Sequence, residues 1–330
     1  MSNVRIQGIE IYYPQNKVDN QYYINYFSEK GKKIDRLLEA YGRKERYIIN
    51  DENENMITMA TKAGEKVLES CNLTGEDIDL LIIATQTPEY IWPTNALVIF
   101  KNLGIKHKAQ FFDVNSNCLG MMNAVSTANY TLKSNPRMKR ALIIGSEQFS
   151  IVNNKDNEYL YPLFGDTACA VVLEKTEEEN TGIIDIDFLG DGERALDCVL
   201  YPRKGFSDLF RNKDSKIDSF WDNFDASFIP GVAYELNKEI LERNSLTFND
   251  VDMYCYSQYA IGMLKGISQM YNVDLSKFIY VGDEYGYTGT NSPFIALYSA
   301  VKNGSVKRGD LVNLWSIGTF WTTCGILMRY

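Results

Sequence analysis

Histidine is almost absent from this sequence: 330 residues hold one, His107, in the polar turn Ile105-Lys106-His107-Lys108, where a surface role is the ordinary reading. Any chemistry must therefore run without a second imidazole to act as base near neutral pH. Six cysteines, at 71, 118, 169, 198, 255 and 324, form no Cys-x-x-Cys pair. With one histidine to complete a ligand set, that excludes a structural zinc site, and no metal is expected. Scattered thiols in a chain this long read as reduced core residues rather than a disulfide framework. No Gly-x-Gly-x-x-Gly or Walker-type loop follows a strand-like run, which disfavours nucleotide binding. Cationic charge is also short, with 34 Lys and Arg against 43 Asp and Glu and a net charge of -9. That balance argues against nucleic acid as a partner. No apolar run is long enough to span a bilayer, and no basic segment leads into one near the start, so a cytoplasmic protein without a membrane anchor is expected. What remains is ordinary globular material, 45% hydrophobic and 13% aromatic, enough for a large core.

The chain repeats itself. Val67-Leu68-Glu69-Ser70-Cys71-Asn72-Leu73-Thr74-Gly75-Glu76-Asp77-Ile78-Asp79 recurs 173 residues later as Ile240-Leu241-Glu242-Arg243-Asn244-Ser245-Leu246-Thr247-Phe248-Asn249-Asp250-Val251-Asp252. The pattern predicts a helix in each copy (Met59 to Cys71; Val232 to Asn244), a Thr-x-x-Asp turn, and then a buried strand, Leu80-Leu81-Ile82-Ile83-Ala84 and Met253-Tyr254-Cys255-Tyr256. A second match, at an offset of 169, relates Lys133, Lys139 and Leu142 to Lys302, Arg308 and Leu311. Alternating strands and helices imply an α/β fold made of two copies of one unit, residues 1–175 and 176–330. The offset of 169 also sets Cys118 opposite Tyr287 and Gly120 opposite Gly289, each pair just before an apolar helix. Packed about a pseudo-twofold axis, the starts of these helices face each other near the centre.

Asn115-Ser116-Asn117 offers capping side chains to the first of these helices, and Leu119 through Tyr130 carries no charge, so that helix should be buried all round. Cys118 would then lie at a helix N-terminus, whose unpaired N–H groups favour thiolate and lower its pKa. Position alone leaves a reactive thiol and a packed core thiol equally open.

The surrounding residues resemble the ketoacyl-ACP synthase III family of the thiolase superfamily, from end to end and in order. Ile6-Gln7-Gly8 through Tyr13-Pro14 is similar to the family's opening strand, and Tyr41-Gly42-Arg43-Lys44-Glu45-Arg46 to its Thr-Gly-Ile-Arg-Glu-Arg segment. Phe112-Asp113-Val114-Asn115-Ser116-Asn117-Cys118-Leu119-Gly120 resembles the nucleophile segment Phe-Asp-Val-x-x-x-Cys-x-Gly. Phe164-Gly165-Asp166-Thr167-Ala168-Cys169-Ala170-Val171-Val172 resembles Phe-Gly-Asp-Gly-Ala-Gly-Ala-Val. The end, Gly318-Thr319-Phe320-Trp321 to Met328-Arg329-Tyr330, is similar to the family's C-terminal hairpin.

The resemblance implies a thiolase-like fold layered α/β/α/β/α, with Cys118 as the nucleophile that holds an acyl thioester. Main-chain N–H groups of Cys118 and Thr319 would form the oxyanion hole. Where the family carries catalytic His and Asn, this chain has Ser257, in Tyr256-Ser257-Gln258, and Tyr287, in Gly286-Tyr287-Thr288. Hydroxyls donate hydrogen bonds but do not serve as bases near pH 7, which puts ordinary decarboxylative condensation in doubt. A modified condensation, or transfer to an alcohol, amine or thiol, remains open. So does an inert partner subunit. Glu89 and Glu147 follow strand ends; either could assist, although a solvated loop charge is the simpler reading.

Acyl-CoA or the phosphopantetheine of an acyl carrier protein would be substrate, with no separate cofactor. Arg36 and Arg43, together with Lys44 and Arg46, make a basic patch for CoA phosphates or an acidic carrier. Gln258 is a retained family residue expected near substrate. Trp92 matches a family Phe that enters the neighbouring subunit's acyl pocket, implying a homodimer, with a heterodimer the alternative, and a pocket for small or unusual acyl groups. Lys204 to Trp221 has no counterpart in the repeat and is either a lid or a surface loop.

Overall fold

The computed structural model describes residues 3–193, 195–196, 199–215, 219–221, 225–319 and 322–330; Cys198, Phe320, Trp321 and parts of the segment from Lys204 to Trp221 lie outside the described residues. Five strands form the first sheet: β1 (Asn3–Tyr12), β2 (Leu80–Ala84), β3 (Gln110–Val114), β4 (Arg140–Glu147) and β5 (Thr167–Thr176), in the order β1-β5-β4-β2-β3. The second sheet has β6 (Gly182–Leu189), β7 (Met253–Tyr256), β8 (Leu311–Ile317) and β9 (Thr323–Arg329), in the order β7-β8-β9-β6.

The two orders are the same order. In each sheet a parallel pair (β2 with β4; β7 with β8) meets an antiparallel neighbour (β5; β9), which then pairs antiparallel with an edge strand (β1; β6). Phe278 makes a single parallel bridge to Tyr254 on the open side of β7, where β3 stands beside β2 in the first half.

Repeated side chains build repeated joints. Thr74 N–H donates to the Asp77 carboxylate at 2.9 Å and Thr247 N–H to the Asp250 carboxylate at 2.7 Å, closing two matching 3₁₀ turns. The next repeated pair stitches neighbouring strands: Asp79 accepts from the N–H groups of Lys139 and Arg140, and Asp252 from that of Leu311. The preceding helices, α1 (Met56–Ser70) and α3 (Ile229–Arg243), each begin three residues earlier than the hydrophobic spacing predicts. Asn55 caps α1 through Ile57 and Thr58, and Pro230 occupies the first turn of α3, where its missing N–H costs nothing.

Three cores separate five layers. One face of the first sheet packs on α1 through Leu81, Ile83, Leu142 and Ile144. Its other face, with Leu80, Ile82, Ala141 and Ile143, shares one apolar cluster with the inner face of the second sheet. Between them lie α2 (Gly120–Ser134) and α5 (Ser292–Lys302), contributing Met121, Ala124, Val125, Phe294 and Ile295. The outer face of the second sheet packs on α3 and α4 (Ile261–Tyr271). Thus α2 is central but not enclosed all round: its last turns expose Thr127 and Tyr130.

Candidate active site

Between the end of β3 at Val114 and the start of α2 the chain must turn sharply. It does so at Asn117, whose φ of 51° is left-handed, a conformation asparagine tolerates better than most side chains. Asn115 does not cap the helix as its position suggests. Its side chain accepts from the Asn117 N–H at 3.1 Å, and the helix N-cap is Leu119, with no side-chain bond of its own. The missing cap comes from the other half: Thr290 Oγ1 accepts from the Met121 N–H at 2.6 Å. Gly120 allows this approach, since a Cβ there would come within 2.7 Å of the same oxygen. The two helix starts therefore do meet.

Cys118 sits one residue before the N-cap, half-buried, on the wall of a cavity of ≈140 Å³. Its carbonyl accepts from Ser316 Oγ at 3.0 Å, and Ser316's own carbonyl accepts from Thr323 Oγ1 at 2.8 Å, so the second half clamps the backbone of the residue. Around the sulfur, the buried Tyr287 phenol makes a hydrogen bond to it, and Gln86 Nε2 lies 3.9 Å away. Ser257, buried at the end of β7, donates from Oγ towards the Tyr287 hydroxyl across 3.5 Å. Main-chain bonds hold Tyr287 in place, its N–H to the Leu163 carbonyl and its carbonyl to the Gly165 N–H. The ring packs on Phe164 and edge-on to Tyr259. Gly318 and Thr319 line the same cavity. Cys118, Ser257 and Tyr287 thus converge on one site with Thr319 at its wall.

Burial, rather than the helix start, is the largest influence on the thiol. Burial pushes its pKa up to about 11; the Tyr287 hydrogen bond opposes this, and the nearby Glu147 carboxylate adds to it. Burial likewise holds Tyr287 well above the ordinary phenol value, so it remains a proton donor at neutral pH.

Glu147 is a correction to the sequence reading, because the carboxylate is fully buried rather than solvated. It accepts from the Gln86 N–H at 3.0 Å, from Gln86 Nε2 at 3.1 Å and from Thr87 Oγ1 at 3.1 Å. Burial raises its pKa to about 7 against those bonds. Gln86 thus bridges carboxylate and sulfur; neither it nor Ser316 is singled out by the sequence, where the only signal is that Gln86 follows a strand end and Ser316 lies in the last residues of β8. Glu89 is exposed, as expected of a loop charge, and so is His107.

Four residues assigned to substrate lie away from the sulfur. Arg43 is buried, its guanidinium donating to the carbonyls of Leu163, Gln258, Tyr259 and Gly282 and to the Tyr280 hydroxyl, which leaves nothing to offer a phosphate. Arg46 is buried against Tyr23 and the Pro162 carbonyl, so the basic patch reduces to exposed Arg36 and to exposed Lys44, which pairs with Asp283. Gln258 spends its amide inside the protein, donating to the carbonyls of Tyr256 and Ile279 and accepting from the Val281 N–H. Trp92 is 82% exposed on a loop organised by Asn95, whose side chain is held in turn by Asp113. Among its described residues, the segment after Lys204 reaches the site at its end: Ser219, Phe220 and Trp221 line the cavity, with Phe220–Trp221 paired to Val199–Leu200.

Comparison with known proteins gives a consistent set of likenesses. Residues 112–192 match the family model of 3-oxoacyl-[acyl-carrier-protein (ACP)] synthase III, and residues 241–330 match its C-terminal model. The beta-ketoacyl-[acyl-carrier-protein] synthase III of Clostridium perfringens is 31% identical over 323 residues, 96% of each chain. The 3-oxoacyl-[acyl-carrier-protein] synthase III of Aquifex aeolicus superposes with a TM-score of 0.87 at 26% identity, over 99% of this chain and 100% of that one. The priming beta-ketosynthase of the R1128 polyketide pathway has a TM-score of 0.88 at 22% identity, over 99% and 96%, a likeness of fold alone.

Proposed function

The chain belongs to the 3-oxoacyl-[acyl-carrier-protein] synthase III family and has its thiolase-like α/β fold, and from that premise we propose that Cys118 takes an acyl group from acyl-CoA or an acyl carrier protein and passes it to an oxygen, nitrogen or sulfur acceptor. Cys118 Sγ attacks the donor's thioester carbonyl; the new C–S bond forms, the donor's C–S bond breaks, and the thiol proton leaves with the departing thiolate. The N–H groups of Cys118 and Thr319 stabilise the oxyanion. In the second half-reaction the acceptor attacks the acyl-enzyme, and its proton returns to the sulfur.

One observation carries the choice of acceptor. Ser257 and Tyr287 stand, in our reading, where the family has His and Asn; Ser257 Oγ donates towards the Tyr287 hydroxyl, and that phenol in turn bonds to Sγ. Donors engaged in that way steady a thiolate, whereas decarboxylative condensation needs donors aimed at the extender's carbonyl. The exposed run Tyr90, Ile91 and Trp92 supports a homodimer in which this loop meets the partner. We take the halves to divide at residues 175 and 176, and Arg36 to remain available to an acidic carrier.

The test is to load the enzyme with an acyl group and chase it with malonyl-carrier protein, or with a panel of alcohols, amines and thiols. Loss of the acyl group to a panel member without carbon dioxide release is expected. Carbon dioxide released in proportion to deacylation makes the protein a condensing enzyme, and a protein that never acylates is an inert partner subunit. Replacing Ser257 with His and Tyr287 with Asn together should raise decarboxylation.

A further inference from the structure

Resting on the reading of Cys118 as an acyl carrier, the shape and lining of its cavity point to the acyl group itself. Every lining side chain among the described residues is uncharged, and eight are aromatic, including Phe149, Phe164, Trp221, Phe228, Tyr259 and Tyr287. A carboxylate or ammonium entering here finds no counter-charge among these side chains, and leaving water unpaired is expensive. Within one protomer the free volume of ≈140 Å³ is close to that of a known apolar cavity of about 150 Å³ that binds one benzene molecule, so one ring is its upper limit whether or not a neighbouring subunit's loop narrows it. The rings are also set at angles to one another. Tyr259 stands at 88° to Tyr287 with centroids 5.7 Å apart, Phe164 at 79° to Trp221 at 6.4 Å, and Phe149 stacks on Phe164 at 4.2 Å. Rings that line one space at such different angles offer an aromatic guest stacked and edge-to-face contacts that a saturated one of equal size cannot make.

We propose that the cavity is built for an uncharged acyl group carrying a single aromatic ring. Glu147, the one buried carboxylate near the sulfur that this geometry must accommodate, is bonded to Gln86 and Thr87 behind the wall and is not among the lining residues. Acylation by such a group needs no co-reactant: the thiol proton leaves with the donor thiolate as Sγ takes the acyl carbon.

The experiment is the rate of Cys118 acylation, read by intact mass, with N-acetylcysteamine thioesters of phenylacetyl, cyclohexylacetyl, hexanoyl, dodecanoyl and 4-carboxyphenylacetyl groups. Because the phenyl ring makes its neighbouring carbonyl more electrophilic than an alkyl chain does, each rate is divided by that of the same thioester with free cysteine before the five are compared. Phenylacetyl should exceed cyclohexylacetyl by roughly two- to tenfold, the range one aromatic pair supplies, and should exceed dodecanoyl and 4-carboxyphenylacetyl by more than that. Replacing Phe149 or Phe164 with Leu should bring the phenylacetyl to cyclohexylacetyl ratio towards one. Equal rates for those two in the wild type, or dodecanoyl or the charged ring acylating as fast as phenylacetyl, overturn the assignment while leaving Cys118 an acyl carrier. Failure of all five on folded protein whose Cys118 still reacts with iodoacetamide overturns the underlying reading, and this one with it.

Discussion

At the scale of single residues the site is a half-buried cysteine whose sulfur meets two donors, Tyr287 and Gln86, with the Glu147 carboxylate close by. The thiol pKa of about 11 is set first by burial, and it is lowered by Tyr287 and raised by Glu147. Alkylation of Cys118 by iodoacetamide should therefore climb through a pH well above that of a free cysteine. Tyr287→Phe removes a donor to the thiolate and should move the profile up, and Glu147→Gln removes an opposing negative charge and should move it down, each by roughly one pH unit. A midpoint at or below the free-cysteine value of about 8.5 would mean that burial does not govern this thiol. The position of Cys118 was legible because its motif is contiguous. The fate of Glu147 was not, because its bonding partners Gln86 and Thr87 lie 60 residues or more away in the chain and nothing local marks the group as buried. Arg43 misled for the same reason, its carbonyl partners standing up to 239 residues distant.

At the scale of elements, the helix behind the nucleophile is capped from the opposite half. Thr290→Ala removes the acceptor of the Met121 N–H and should cost about 1 kcal/mol, measurable as a shift of the urea midpoint. Thr290→Ser should restore most of it. Gly289 is a harder constraint: its φ is +63°, and an added Cβ would meet the Phe149 ring at 2.6 Å. Gly289→Ala should destabilise by more than the cap loss, about 1 to 3 kcal/mol, and should alter acyl preference by displacing a cavity ring. The strands and the Thr-x-x-Asp turns could be read from the sequence because each repeats with the same local bonds. The helix caps could not, since Asn115 satisfies its own turn and leaves α2 to a distant threonine.

At the scale of the whole molecule, the two halves share one central apolar layer and are joined by buried polar groups. Arg43 is the clearest of these, tying the segment before the first sheet's helices to the loops after β7 and before Tyr287. Arg43→Met leaves several buried carbonyls unpaired and should destabilise by about 3 kcal/mol or more. Thermal unfolding would check this, with an unchanged transition contradicting the role. The duplicated architecture was visible in two sequence matches, whereas the way the halves interlock depends on contacts that no single copy of the repeat contains.

The most direct measurement of the central claim is intact mass after incubation with a panel of acyl-CoA and acyl-carrier thioesters, for the wild type and for Cys118→Ala. A mass increase of one acyl group in the wild type alone is predicted. No adduct on folded wild-type protein, or an adduct that survives in Cys118→Ala, would contradict it.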